Sequence, residues 1–128
     1  MFTDPIADFL TRIRNAGRAR KHELTVRGSR MLKSMANVLK AKNLIESVEE
    51  TTVEGGAPEL KIVLISGREP LELKRISKSG QRIYVGYEDI KRVRNGFGVA
   101  IISTSRGIMS GDEAHKLKIG GEYICEVY

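Results

Sequence analysis

Apolar residues in this chain recur with two different periods, and the switches between them outline the elements. Ile6, Phe9, Leu10 and Ile13 follow the i, i+3, i+4, i+7 spacing of one helical face. Asp4 before Pro5 supplies a cap and a first helical residue, and Asn15-Ala16-Gly17 is expected to end the helix with Gly17 as its left-handed stop. His22 to Arg27 alternates, with Leu24 and Val26 inward, and reads as a strand. Gly28-Ser29 opens a second helix, capped by Ser29, striped by Leu32, Met35, Val38 and Leu39, and closed by Asn43. Ile45 to Thr51 and Glu59 to Ile65 predict two strands joined by a loop with Gly55-Gly56 and Pro58, and Leu60, Ile62 and Leu64 share a face.

Ser66-Gly67-Arg68-Glu69-Pro70 is a polar turn after an apolar strand, and it sets an expected boundary between a lobe 1–66 and a lobe 67–128. Beyond it, Leu71 to Ile76 reads as a strand, Lys78-Ser79-Gly80 as a turn, and Arg82-Ile83-Tyr84-Val85 as a short strand. One or two turns of helix are expected over Tyr87 to Val93, with Ile90 and Val93 inward. Asn95 to Gly98 is a tight turn feeding Val99-Ala100-Ile101-Ile102, an unbroken apolar run too short for a helix and typical of a strand buried on both faces. Ile108 and Met109 return to the core, Ser110 and Glu113 form a capping box, and the helix they start is expected to run through Lys118 and end near Gly120-Gly121. Glu122 to Tyr128 alternates, Tyr123, Cys125 and Val127 on one face and Glu122, Ile124, Glu126 and Tyr128 on the other. The expected class is α/β in the α+β sense, a helix-strand-helix-strand-strand lobe followed by a mostly β lobe with short helices.

Composition narrows the class of function. With 128 residues, 41% hydrophobic and 30% charged, the chain can bury a core as one domain or two small lobes. No apolar run approaches the roughly 20 residues that span a bilayer, and Asp4, Pro5 and Asp8 interrupt any signal-peptide core. A single cysteine, Cys125, cannot form an internal disulfide, so the cytoplasm is the expected compartment. The net charge is +6, and its distribution says more: ten Lys and Arg lie from Arg12 to Lys42 against Glu23, and eight from Lys74 to Arg106 against Glu88 and Asp89. The acids gather at Glu46, Glu49, Glu50, Glu54 and Glu59. Such segregation is the footprint of a polyanionic partner, nucleic acid ahead of an anionic membrane.

Candidate chemistry collects where the apolar run ends, at Ser103-Thr104-Ser105-Arg106-Gly107. Hydroxyls both donate and accept, Arg106 offers a planar cation, and Gly107 permits close approach or positive φ. The same composition also suits an ordinary loop whose hydroxyls satisfy nearby backbone. Arg30 and Lys33 stand near the start of the second helix, where free amides and Ser29 could take a phosphate, or Ser29 could serve as a plain cap. Tyr84, among Arg82, Lys91 and Arg92, suits stacking on an unpaired base or a half-buried core position. Phosphate-binding glycine loops and metal-spaced His or Cys clusters are absent from the sequence. Ser105, His115 and Asp112 lack a nucleophile elbow, and His115 and Asp112 sit one turn apart on a short helix. An enzyme, a cofactor and a small-molecule substrate are therefore not expected.

Asp4-Pro5-Ile6-Ala7-Asp8, Leu10-Thr11-Arg12-Ile13-Arg14-Asn15, Arg82-Ile83-Tyr84, Gly98 with its apolar strand, Ser103-Thr104-Ser105 before a basic residue and Gly107, and Gly120-Gly121-Glu122 with the Cys125 strand together resemble the bacterial small-subunit ribosomal protein S-eight family. The resemblance covers essentially the whole chain. It implies a two-lobe protein of the cytoplasmic ribosome that binds the central domain of small-subunit ribosomal RNA early in assembly. It also implies neighbouring ribosomal proteins as partners, and the messenger RNA of its own operon as a target for repression. By position it makes Ser103, Thr104, Ser105, Arg106 and Gly107 the reading residues, and Thr3, Asp4, Ser29 and Arg30 contacts to RNA backbone. Arg106 stands where lysine is usual and Ser79 where proline is expected, while Gly111 and His115 leave the last helix less basic. The alternative from another class is a basic protein–protein adaptor of the translation apparatus with only non-specific RNA contact.

Overall fold

The computed structural model describes residues 4–52 and 54–128. The chain divides into two compact units, the first ending at Leu71 and the second beginning at Glu72.

In the first unit, α1 (Pro5–Arg18) and α2 (Arg30–Ala41) accompany β1 (Glu23–Arg27), β2 (Ser47–Thr52) and β3 (Pro58–Val63), an antiparallel sheet of order β1-β3-β2. The helix stripe buries Ile6, Phe9, Leu10, Ile13 and Ala16 along α1, and Leu32, Met35, Ala36 and Leu39 along α2. Helix α1 packs against β1 and α2 against β2, so the covered face holds Val26, Leu60 and Ile62. Two details depart from the sequence pattern. Gly17 lies inside the last turn of α1, where an added Cβ would sit 3.5 Å from Pro70, and the left-handed residue is Arg20 at φ 56°. Ala36, not Val38, completes the α2 stripe, because residues 32, 35, 36 and 39 follow the 3.6-residue period more closely. Asn43 does close α2 from a left-handed conformation, φ 59°.

The second unit is built on β8 (Gly121–Val127). Strands β4 (Leu73–Arg75), β6 (Val99–Thr104) and β7 (Gly107–Ser110) give the order β4-β8-β6-β7, and β5 (Tyr84–Val85) also pairs with β8. All pairings are antiparallel, so the molecule is α+β with two antiparallel sheets, the class expected from the pattern. Helix α3 (Gly111–Leu117) lies on β6 and β7, and its Ala114 joins Ile90, Val93, Ala100, Ile102 and Met109 in one buried cluster. The first four residues of β6 are all buried, as an unbroken apolar run requires.

Three sequence expectations change here. Ile90 and Val93 are inward as expected, but Tyr87 to Val93 is not one α-helical segment: Tyr87–Asp89 and Val93–Gly96 are separate 3-10 turns, and Arg94 and Asn95 inside the second are left-handed. Two apolar residues are too few to offset the cost of nucleating an α-helix. Lys118, at φ 58°, ends α3 rather than the Gly120-Gly121 pair. The alternation of β8 breaks because the β6–β8 register shifts: Ile101 faces Cys125 and Ile102 faces Tyr123, leaving Ile124 as the extra residue of a bulge. Ile124 and Cys125 are therefore both buried. Burial chiefly, with Glu126 adding and Arg75 opposing, pushes the Cys125 thiol up to about 12.

Candidate nucleic-acid interface

The polar end of β6 is one arm of a hairpin. Thr104 pairs with Gly107 and Ser103 with Ile108, leaving Ser105 and Arg106 as the two turn residues. Neither has positive φ, whereas Gly107 is at φ 108°, the pattern of a type I turn closed by a glycine bulge. The three hydroxyls have different fates. Thr104 Oγ1 donates to the carbonyl of Gly107 at 2.8 Å and accepts from the amide of Arg106 at 3.1 Å, so it is spent on the turn itself. Ser103, Ser105 and Arg106 have no side-chain partner among the described residues, and Ser105 and Arg106 are exposed. Behind this tip, buried Ile102 of β6 faces buried Met109 of β7 and anchors the hairpin in the core.

Beside the hairpin a polar network ties β8 to the segment after β4. Ser77, fully buried, donates its hydroxyl to Glu122 Oε2 and accepts from the amide of Ile83 at 3.1 Å. Arg82 Nη1 donates to the same Oε2 at 2.9 Å. Burial raises the pKa of the Glu122 carboxyl, but the hydrogen bonds from Ser77 and Arg82 and the charges of Arg82 and Arg75 outweigh it and hold the group below the ordinary carboxylate range. Tyr84 is 70% exposed, which removes the core alternative for its ring. The approach of these strands needs glycine: a Cβ at Gly121 would collide with the carbonyl of Ser103, and one at Gly120 with the carbonyl of Val85. Sequence reasoning did not find Ser77 or Glu122 as site residues. The local signals were a glycine pair in front of a strand and the place of Glu122 in the Gly120-Gly121-Glu122 segment that carries part of the resemblance.

In the first unit, Asp4 and Ser29 are helix caps. The Asp4 carboxylate accepts from the amides of Ile6 and Ala7, each at 3.1 Å, and Ser29 Oγ from the amide of Leu32 at 3.2 Å. Arg30 is exposed at the first position of α2, while Lys33 is held 3.7 Å from Glu50 on β2. Thr3 lies outside the described residues. A cleft of about 340 Å³ at the C-terminal end of α1 is rimmed by Arg18, Arg20, Lys21, His22 and Arg68 above an apolar floor that includes Ile13, Leu44 and Leu64. In the second unit Lys91 and Arg92 are exposed, and the Arg94 guanidinium lies 4.1 Å over the Tyr128 ring.

Elsewhere, His115 packs edge-on against Tyr87 with ring centroids 6.0 Å apart. No group of three or more His, Cys, Asp or Glu among the described residues could hold a metal ion. No described helix is long and apolar enough to cross a membrane.

Fold and surface together define a small basic α+β protein that displays a hydroxyl-bearing hairpin and exposed cations. The chain belongs to the family Ribosomal protein S8, whose sequence profile matches residues 4–128. It is similar over 100% of both chains to proteins named small ribosomal subunit protein uS8. Identity is 47% over 129 residues for Nitratidesulfovibrio vulgaris (strain DP4), 48% over 132 for Sorangium cellulosum (strain So ce56) and 44% over 139 for Thermus thermophilus. As a member of that family it is a non-enzymatic structural constituent of the small subunit of the cytoplasmic ribosome, associated with ribosomal RNA and other ribosomal proteins.

Proposed function

We propose that this protein binds the central domain of small-subunit ribosomal RNA directly and helps that domain assemble, with the β6–β7 hairpin as the reading element. The observation that carries the reading is the pair of hydroxyls, Ser103 and Ser105, without a side-chain partner among the described residues and with Arg106 beside them, on a hairpin anchored by a strand whose first four residues are buried. A regular A-form helix hides its base edges in a deep narrow groove, so a short-armed reader needs an irregular site where the minor groove opens. Ser103 and Ser105 meet 2′-hydroxyls and base edges there, Gly107 lets backbone come close, and the exposed ring of Tyr84 stacks on an unpaired base. Thr104 contributes by holding the turn. Arg30, Lys33 and the first turn of α2 grip flanking phosphates, with Ser29 still able to donate its hydroxyl proton. Asp4 meets 2′-hydroxyls rather than phosphates, and Thr3 belongs to the same backbone contacts by family position. Cations position the protein; base and shape contacts specify its site. A messenger RNA that copies the same irregular helix is recognised by the same groups, which provides for repression of the protein's own operon.

Gel-shift titration of Ser105→Ala against a central-domain transcript tests the reading. Specific affinity falls by about 1–2 kcal/mol, the cost of leaving an RNA polar group without its partner. Binding of unrelated RNA changes little. Equal affinity of the native chain for central-domain and unrelated transcripts would instead support a non-specific adaptor.

A further inference from the structure

The hairpin and the cations leave one polar group of this surface without a role. Strand register puts Glu122 of β8 directly between Tyr84 of β5 and Ser103 of β6. Side chains opposite one another on antiparallel strands stand on the same face, so the three form one row, which Ile108 extends across β7. The carboxylate in this row is used asymmetrically. Oε2 receives both Ser77 Oγ and Arg82 Nη1, while Oε1 receives no described residue and is not sealed from solvent. An ionised carboxylate repels phosphate and accepts hydrogen bonds only, so its one productive partner on RNA is an N–H or O–H donor.

We propose that Oε1 of Glu122 is a recognition acceptor of the reading face, taking a hydrogen bond from a minor-groove donor of the RNA, either a guanine 2-amino group or a ribose 2′-hydroxyl. The inference rests on the RNA-binding reading above and deepens it by naming a further residue and the chemistry it reads. The guanine amine is the only base-edge donor that Watson–Crick pairs show in the minor groove, and the 2′-hydroxyl is the other donor on that side. Ser77 and Arg82 fix the carboxylate from behind, so Oε1 is presented without loss of side-chain freedom on binding. Negative charge in the row also discriminates, since a phosphate placed there meets repulsion and a donor meets a charge-assisted bond.

The network makes Glu122→Gln an informative change. Arg82 can only donate, and the buried hydroxyl proton of Ser77 needs an acceptor, so both call for the oxygen of the introduced amide to point inward, leaving its NH2 group where Oε1 stood. The acceptor thereby becomes a donor at almost constant volume. The test is analogue interference on a transcript of the ribosomal RNA central domain carrying sparse inosine or 2′-deoxy substitutions, partitioned by the native chain and by Glu122→Gln. With the native chain, one inosine or one 2′-deoxy position interferes with binding; with Glu122→Gln that interference disappears and affinity for the unmodified transcript drops at least about tenfold. The arm in which interference disappears tells the amine from the ribose hydroxyl. The same interference map for both proteins, whatever the change in affinity, overturns the proposal, because a merely structural role lowers affinity without erasing one contact. Where Glu122→Gln melts early, Ser77→Ala with Glu122→Leu removes donor and carboxylate together, and the same map decides. A native chain that binds the transcript no better than unrelated RNA fails the underlying reading instead, which this outcome identifies by itself.

Discussion

Thr104 and Ser105 are adjacent hydroxyls with opposite fates. Thr104 is turned back onto its own hairpin by two hydrogen bonds, and Ser105 faces outward with none. Composition could not separate them, because both residue types form the same local turns; the hairpin register did. Gly121 shows the other residue-scale lesson. Its backbone conformation is ordinary, yet a Cβ there would run into the Ser103 carbonyl, so glycine is required for strand approach rather than for φ. Gly121→Ala is expected to destabilise the protein by about 1–3 kcal/mol through overpacking against backbone that cannot step aside. Urea unfolding of the variant measures it, and an unchanged midpoint would mean that β6 and β8 can spread.

At the scale of elements, β8 is the hub of the second unit, pairing with β4, β5 and β6. Its alternation was legible, but the bulge at Ile124 was not, since a register shift arises from two strands meeting and leaves no mark on either alone. The Ser77–Glu122–Arg82 network is likewise made between segments 40 or more residues apart in sequence. It gives the sheet a pH signature. The Glu122 carboxyl has an ordinary value of 4.5 and is held lower in the fold, so ionised Glu122 favours folding fully above about pH 4.5 and loses that effect as pH falls through the depressed value. The stability difference between the native chain and Glu122→Gln is therefore greatest near neutral pH and closes on acidification. Thermal melts from about pH 7 down to about pH 3 check this, and a difference that stays constant would show that charge on Glu122 does not contribute.

For the whole molecule, the net charge of +6 governs how strongly the protein meets RNA rather than which RNA it selects. Not every cation is equally available. Lys33 is paired with Glu50 at 3.7 Å and Arg12 with Asp8 at 3.4 Å, both exposed and so worth little, while Arg30 is exposed at the start of α2. Replacing Arg30 and Lys33 together by Ala is expected to weaken binding to all RNAs alike and to lower the slope of log affinity against log salt by about one to two. A salt titration with an unaltered slope would remove both residues from the contact surface.

What the sequence determined by itself was everything set by short-range periodicity and by charge. That includes two capped helices, the buried strand, the α+β class, the segregated cations and the polar end of β6. Each follows from residues within a turn or a few strand positions of one another, where steric and solvation preferences act without knowledge of the rest of the chain. Tertiary structure alone decided which hydroxyl of the hairpin is spent and which is offered, why Gly120 and Gly121 stand where they do, and that Glu122 lies beside Ser103 and Tyr84. Those facts depend on strand register, and register is fixed only when distant segments bury their apolar faces together.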